Sequence, residues 1–344
     1  MTTSPIDLRS DVLSRPTQKM IEAMSCAAAD RTYFGLREDP RQQQLEARVA
    51  QWLGHEDALL FPTCTMANEV ALQLLTRPGD LVAAPVDAHL VTSEANAPAV
   101  LSGVRIEWVA GKAPMPPLEA WEKMAVRRGD TQNPRVSTFA IENTHNRAGG
   151  AVVTASYMSE LGALARRHGM RVMVDGARLA NSAVAQRCKL DELGRPADLV
   201  TLSLNKSLGA PNGALIAGSK DLIDRALVLR HRVGGGFRPT GIIAAAGLVA
   251  IESSSQLEND HRRTRDLYEG IGRLGGLNLI EPETNILVVI IEVPDLSPQL
   301  LCQRLATHDV LAMPFGDDRI RLVVYRDIDD TAVERTILAM AACL

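Results

Sequence analysis

Aromatic side chains are scarce in this chain of 344 residues, at 3%, while the apolar share of 46% comes mostly from Ala, Leu and Val. So few rings favour helices packed on a central sheet over an all-β core. Long hydrophobic runs are also missing. The longest, Ile286 to Val293, is interrupted by Glu292 and is too short to cross a bilayer. The opening stretch MTTSPIDLRSD has no apolar signal segment, so a cytoplasmic protein with no membrane partner is expected. Strong charge of one sign is absent too. The formal charge is -4, and basic residues interleave with acidic ones, as from Arg262 to Asp266. That pattern excludes the basic stripe of a nucleic-acid partner. The five cysteines, Cys26, Cys64, Cys188, Cys302 and Cys343, are odd in number and show no ligand spacing, which implies a reduced compartment and no metal.

What is present is a regular alternation. Short apolar runs at Ala58 to Phe61, Leu81 to Ala84, Val104 to Val109, Val136 to Ile141, Val172 to Val174, Leu199 to Leu204 and Ala214 to Ala217 predict buried strands. Between them lie helical patterns such as Thr65 to Leu75, stopped by Pro78-Gly79, and Met158 to Arg167, which buries Leu161, Leu164 and Ala165 on one face. This is the signature of an α/β protein with a mostly parallel, doubly wound sheet. After about Ser255 the pattern changes to a long charged helix through Arg273, strands at Leu287 to Val293, Val310 to Met313 and Arg319 to Val324, and a helix from Asp330. The division expected is a large domain over residues 1–250, including the N-terminal segment, and a smaller α+β domain over 251–344.

Two polar clusters fall at the carboxyl ends of apolar strands, where open α/β sheets bind ligands: Asp175-Gly-Ala-Arg178, and Ser203-Leu-Asn-Lys206 followed by Ser207 to Gly213. A lysine at such a place is either a solvated loop side chain or a Schiff-base nucleophile. The second role needs a nearby carboxylate and a loop of small residues that admits a ring. Asp175, Gly209 and Gly213 supply both.

The chain resembles the low-specificity L-threonine aldolases of the β-eliminating lyase group, which are fold-type-I enzymes dependent on pyridoxal 5'-phosphate (PLP). The resemblance rests on IDLRSD (Ile6 to Asp11), REDP (Arg37 to Pro40), PTCTMAN (Pro62 to Asn68), DAH (Asp87 to His89), ENTHN (Glu142 to Asn146), VDGARLANS (Val174 to Ser182), NKSLGAP (Asn205 to Pro211) and VGGGFR (Val233 to Arg238). It implies that Lys206 carries the cofactor, that Asp175 faces the pyridine nitrogen, and that His89 stacks on the ring. Cys64 and Thr65 would hold the phosphate at a helix N-terminus. Arg238 would reach a phosphate across a subunit interface. Arg178, Arg321 and Ser10 are the candidates for the substrate carboxylate, with Arg178 first for its bidentate fork. Arg319, two residues from Arg321, shares its strand face. His89 and His145 are the candidates for moving the β-hydroxyl proton, directly or through water, and Glu94 is placed to orient His89.

The implied reaction is retro-aldol cleavage of a β-hydroxy-α-amino acid, such as L-threonine, L-allo-threonine or phenylserine, to glycine and an aldehyde. L-configuration at Cα with loose control at Cβ is expected, as is a homo-oligomer, a dimer of dimers, with shared active sites. The sequence also departs from the family. Cys64 stands where Gly is usual, Asn205 where Ser is usual, Pro239-Thr240 where Gln-Ser is usual, and Val324-Tyr325 where Thr-His is common. Leu36 and Arg37 are extra between Tyr33-Phe34-Gly35 and Glu38-Asp39-Pro40, in a loop expected near the substrate. These departures leave open another PLP reaction on a related amino acid, namely β-elimination, racemisation or aldehyde exchange, and also a non-catalytic binding protein on the same fold.

Overall fold

The computed structural model describes residues 5–127 and 129–344, so the first four residues of the polar opening stretch lie outside it. A short strand β1 (Ile6–Asp7) and the helices Gln18–Ala29 and Pro40–Leu53 precede the expected alternation. Then come β2 (Asp57–Phe61), β3 (Leu81–Pro85), β4 (Arg105–Val109), β5 (Val136–Glu142), β6 (Arg171–Gly176), β7 (Leu199–Ser203) and β8 (Ala214–Gly218). They form one sheet in the order β2-β8-β7-β6-β5-β3-β4. Neighbours from β7 to β4 run parallel, and β8 is antiparallel to both β2 and β7.

Successive residues of these strands feed opposite cores, because side chains alternate across a pleated sheet. Leu60, Phe139, Val172, Val174 and Val200 join one core, and Leu59, Phe61, Ala140, Met173 and Leu199 join the other. Burial on both faces is why the strands read as unbroken apolar runs. One of them departs from that reading. The segment expected as a buried strand at Val104 to Val109 is the edge strand β4, paired only with β3, and its Trp108 is 59% exposed.

The C-terminal part contains β9 (Leu277–Ile280), β10 (Ile286–Ile291), β11 (Val310–Leu311), β12 (Met313–Pro314) and β13 (Arg319–Val323). An antiparallel sheet runs β12-β13-β10-β9 and is packed by the helices Leu257–Ile271 and Asp330–Cys343. The single strand expected over Val310 to Met313 divides at Ala312: β11 pairs in parallel with β1, whereas β12 joins β13. The partner of β11 comes from the other end of the chain, which no local pattern reveals. Ile6 and Leu8 accordingly sit in the core of the C-terminal sheet with Leu287, Leu322 and Met340. Tyr325 holds the same segment, donating from its hydroxyl to the Asp7 carbonyl at 2.9 Å. Among the described residues no helix is long and apolar enough to cross a membrane.

Candidate active site

Three adjacent strands set the site. Register places Glu142 of β5 beside Asp175 of β6, and Asp175 beside Thr201 of β7, all near the carboxyl ends. The Asp175 carboxylate is buried; Oδ1 accepts from the Ala177 amide at 3.1 Å and Oδ2 from Asn68 Nδ2 at 2.9 Å. Asn68 lies on the helix Cys64–Leu75, and the same Nδ2 donates to Glu94 Oε1 at 2.8 Å. Its Oδ1 accepts from the Thr201 hydroxyl at 2.9 Å, which fixes which end of the amide is which. Glu94 Oε1 also meets His89 Nδ1 at 2.7 Å. One polar atom from each of His89, Glu94 and Asp175 thus lies within 4.8 Å of the others. Burial works against charge on His89. The Glu94 hydrogen bond, followed by the charges of Asp175, Glu94 and Glu142, outweighs it and raises the imidazole above its ordinary range. Glu142 clamps the strand-end loops, accepting from the His89 amide at 2.7 Å and from the Asn146 amide at 2.9 Å.

Lys206 is half-buried in the loop after β7. Gly209, three residues on, has φ +75°, and a Cβ there would come within 2.5 Å of Arg326 Nη1, so the turn requires glycine. Cys64 opens the helix, with its Sγ 3.7 Å from the Thr201 hydroxyl. Burial, then the charge of Asp175, pushes its thiol up to about 12, so it is a neutral group beside the cluster. Thr63 caps this helix by accepting from the Met66 amide at 3.2 Å. Among the described residues the amides of Cys64 and Thr65 find no acceptor, which suits an anion at the helix start.

Arg178 is held from one edge by the protein itself. Its Nε and Nη2 donate to the two Asp11 carboxylate oxygens at 2.7 and 2.6 Å, so that edge of the fork is closed. Asp11, fully buried, also accepts from the Ser207 hydroxyl at 2.8 Å, next to Lys206. Arg321 is the opposite case. Nη1 donates to Asn146 Oδ1 at 2.8 Å, Nη2 to the Arg9 carbonyl at 3.0 Å, and the guanidinium lies 4.9 Å from the Phe315 ring. Buried Nε has no partner among the described residues. Burial, then repulsion from Arg178, lowers this guanidinium to about 10, still cationic at neutral pH. A buried cation with an idle donor and no carboxylate on it has the chemistry to take one. Arg319, on the same face, is paired with Asp318 at 2.6 Å and is not available in that way. Ser10 accepts from the Val12 amide at 3.4 Å, in the segment whose Arg9 carbonyl holds Arg321.

The remaining candidates differ in how they meet this cluster. His145 is fully buried: Nδ1 accepts from the Ala148 amide at 3.2 Å, and Nε2 stands 3.9 Å from Glu142 Oε2. Arg238 is exposed and lies over the ring of Phe34, itself 88% exposed, and makes no bond to the cluster around Asp175. The Tyr33–Pro40 loop, expected near the substrate, makes no hydrogen bond to this cluster among the described residues. Its Arg37 is turned in to Glu46 and Asp57, both at 2.9 Å, and Asp39 caps the helix Pro40–Leu53. Asn205 accepts from the Ser203 hydroxyl at 2.8 Å. A cavity of about 640 Å³ lined by Trp52, Val184, Arg187 and Ile251 contains none of the candidates.

Asn68, Glu142, Thr201 and Asp11 were not singled out from the sequence. Asn68, Glu142 and Asp11 lie inside the motifs quoted above, but nothing local marks a buried polar residue as a hub. Thr201 alone carries a usable signal, as the hydroxyl within an apolar strand.

A mostly parallel sheet with a strand-end lysine and carboxylate, and with unpartnered amides at a helix start, is the arrangement of the PLP-binding α/β class of enzymes. Residues 7–294 match the beta-eliminating lyase family. A low specificity L-threonine aldolase of Escherichia coli is 34% identical over 94% of this chain and 94% of its own length. An alanine racemase of Cochliobolus carbonum is 32% identical over 96% and 84%. The structure of a Leishmania major threonine aldolase covers 98% of this chain and 99% of that one with a TM-score of 0.84 at 18% identity, a likeness of fold. The chain belongs to the beta-eliminating lyase family and is a PLP-dependent lyase.

Proposed function

We propose that this enzyme cleaves the Cα–Cβ bond of a β-hydroxy-α-amino acid of the threonine, allo-threonine or phenylserine type, releasing glycine and an aldehyde. The observation that carries the reading is Arg321, a buried guanidinium with an idle Nε, linked through Asn146 and Glu142 to the backbone of His89. A carboxylate receptor and a proton carrier are thereby fixed relative to each other. Bound PLP supplies an electron sink conjugated to the substrate's α-carbon.

The residues divide the work. Lys206 would hold the cofactor through Nζ and move a proton at Cα of the substrate. Asp175, oriented by Asn68 and the Ala177 amide, would supply the negative charge that keeps the cofactor's ring nitrogen protonated. The amides of Cys64 and Thr65, with the Thr65 hydroxyl, take the phosphate, and the thiol of Cys64 narrows that end of the site. Arg321 binds the substrate carboxylate with Ser10 beside it, and Arg178 orders the site through Asp11 with Nη1 left for a ligand. His89 presents its ring to the cofactor, with Nδ1 held by Glu94 and Nε2 left to accept the β-hydroxyl proton directly or through water. His145 acts behind it. The chain is cytoplasmic and functions as a homo-oligomer, a dimer of dimers in which Arg238 serves a neighbour's site. The cofactor domain is drawn from residues 1–250, except that Ile6 and Leu8 pack into the core of the smaller one, residues 251–344.

The similarity to an alanine racemase keeps one rival in view, since Lys206 could also return a proton to the opposite face of Cα. A substrate panel separates the two. L-threonine, L-allo-threonine and phenylserine should each give aldehyde and glycine, with D-isomers inert. Racemised alanine without aldehyde release would overturn the aldolase reading. The purified enzyme should absorb as a yellow PLP Schiff base, and Lys206→Ala should abolish that band. A band that survives the substitution removes Lys206 from its role.

A further inference from the structure

Glu69 and Glu94 form a buried carboxyl pair behind the site. Both residues are at most 3% exposed, Glu69 on the helix Cys64–Leu75 and Glu94 beyond His89. Glu69 Oε1 and Glu94 Oε2 are both buried and both without a hydrogen-bond donor among the described residues. The remaining oxygens are differently placed: Glu69 Oε2 accepts weakly from the Ser102 hydroxyl at 3.5 Å, and Glu94 Oε1 is shared by Asn68 Nδ2 and His89 Nδ1. The two carboxyls are within hydrogen-bonding reach of each other, so as acceptor-only groups out of water they repel, and each keeps one orphaned oxygen. A single proton between them removes the repulsion and turns one acceptor-only carboxyl into a donor for the other.

We propose that Glu69 donates a shared proton to Glu94 Oε2 and so acts as a positioning residue, keeping Glu94 Oε1 turned toward His89 and Asn68. Burial, then the charge and hydrogen bond of Glu94, push the Glu69 carboxyl up to about 8, which agrees with that placement of the proton. Around the pair stand His89 and Asn68, then Asp175 through Asn68, and Ser102 on the side away from the site. The effect on turnover rests on the proposed roles of His89 and Asp175, whereas the shared proton does not.

Two measurements on the holoenzyme keep those parts separate. Infrared difference spectra between wild type and Glu69→Gln should contain the carbonyl stretch of one protonated carboxyl at neutral pH, lost as pH rises past about 8. The subtraction cancels Asp260, whose buried carboxyl is also raised, to about 7. In kcat/KM, wild type should decline with the same proton, because the second charge turns Glu94 away from His89. Glu69→Gln, whose amide donates at every pH, should lack that alkaline limb, and Glu69→Leu should lose about ten-fold across the range, the worth of one unmade buried hydrogen bond. No carboxyl band in the difference spectrum refutes the shared proton. A band with an alkaline limb unchanged in Glu69→Gln, or Glu69→Leu matching wild type, refutes the positioning role.

Discussion

Replacing Asp11 with Asn should be among the most damaging isosteric changes this protein can suffer. The carboxylate is fully buried and receives Arg178 at 2.7 and 2.6 Å and Ser207 at 2.8 Å, with Asn285 Nδ2 at 3.5 Å. Burial alone would raise its pKa. The Arg178 charge and hydrogen bonds, then Lys206 and Ser207, overcome this and hold the carboxyl well below the ordinary 3.8. Asn keeps the shape but removes the charge and aims an N–H group at a guanidinium. Breaking one side of a buried pair costs about 3–5 kcal/mol, against a total stability on the order of 5–15 kcal/mol. Urea unfolding of the holoenzyme at fixed PLP should show a loss in that range, little changed by salt because the pair is shielded from counter-ions. Removing both charges in Asp11→Leu with Arg178→Met should cost less than either single change, since neither then leaves an unpaired ion. The sign of the pH dependence follows from the depressed pKa. The Asp11 contribution is present above about 3.8 and is lost as pH falls through the lower folded value. A loss below about 1 kcal/mol for Asp11→Asn, or a double variant as unstable as the sum of the singles, would refute the account of this pair.

Arg321→Gln should raise KM by about 30-fold or more while kcat falls less, because the idle Nε and the charge act on the bound carboxylate and not on the breaking bond; an unchanged KM would remove Arg321 as the receptor. Mixing Arg238→Ala with Lys206→Ala subunits should restore about a quarter of native activity if each site takes its lysine from one protomer and its arginine from the other, since half the dimers are mixed and one of their two sites is intact. Mixed dimers, seen by mass, that stay inactive would return Arg238 to a surface role.

The strands of the large sheet were legible because both faces are buried, so β2, β3 and β5 to β8 carry apolar runs whose ends are marked by glycine or by a polar cluster. The edge strand β4 was legible in place but not in exposure, which depends on the lack of a second neighbour. β9, reading Leu-Asn-Leu-Ile, is too short and too mixed to stand out before β10 lies beside it.

For the site, the sequence pointed to the cofactor through its family motifs. Lys206, Asp175, His89, His145 and Thr65 lie inside the motifs that carry the family resemblance, and it is that resemblance which implies PLP machinery. Tertiary structure alone decided how that machinery is wired. Arg178 and Arg321 are the same side chain in the sequence, but the fold closes one on Asp11, 167 positions away, and leaves the other a buried donor without an acid. The same holds for Asn68, which joins Glu94 to Asp175 across 26 and 107 positions. Hydrogen bonds and ion pairs depend on separations of a few ångströms between groups far apart in the chain, and burial is what makes each one count.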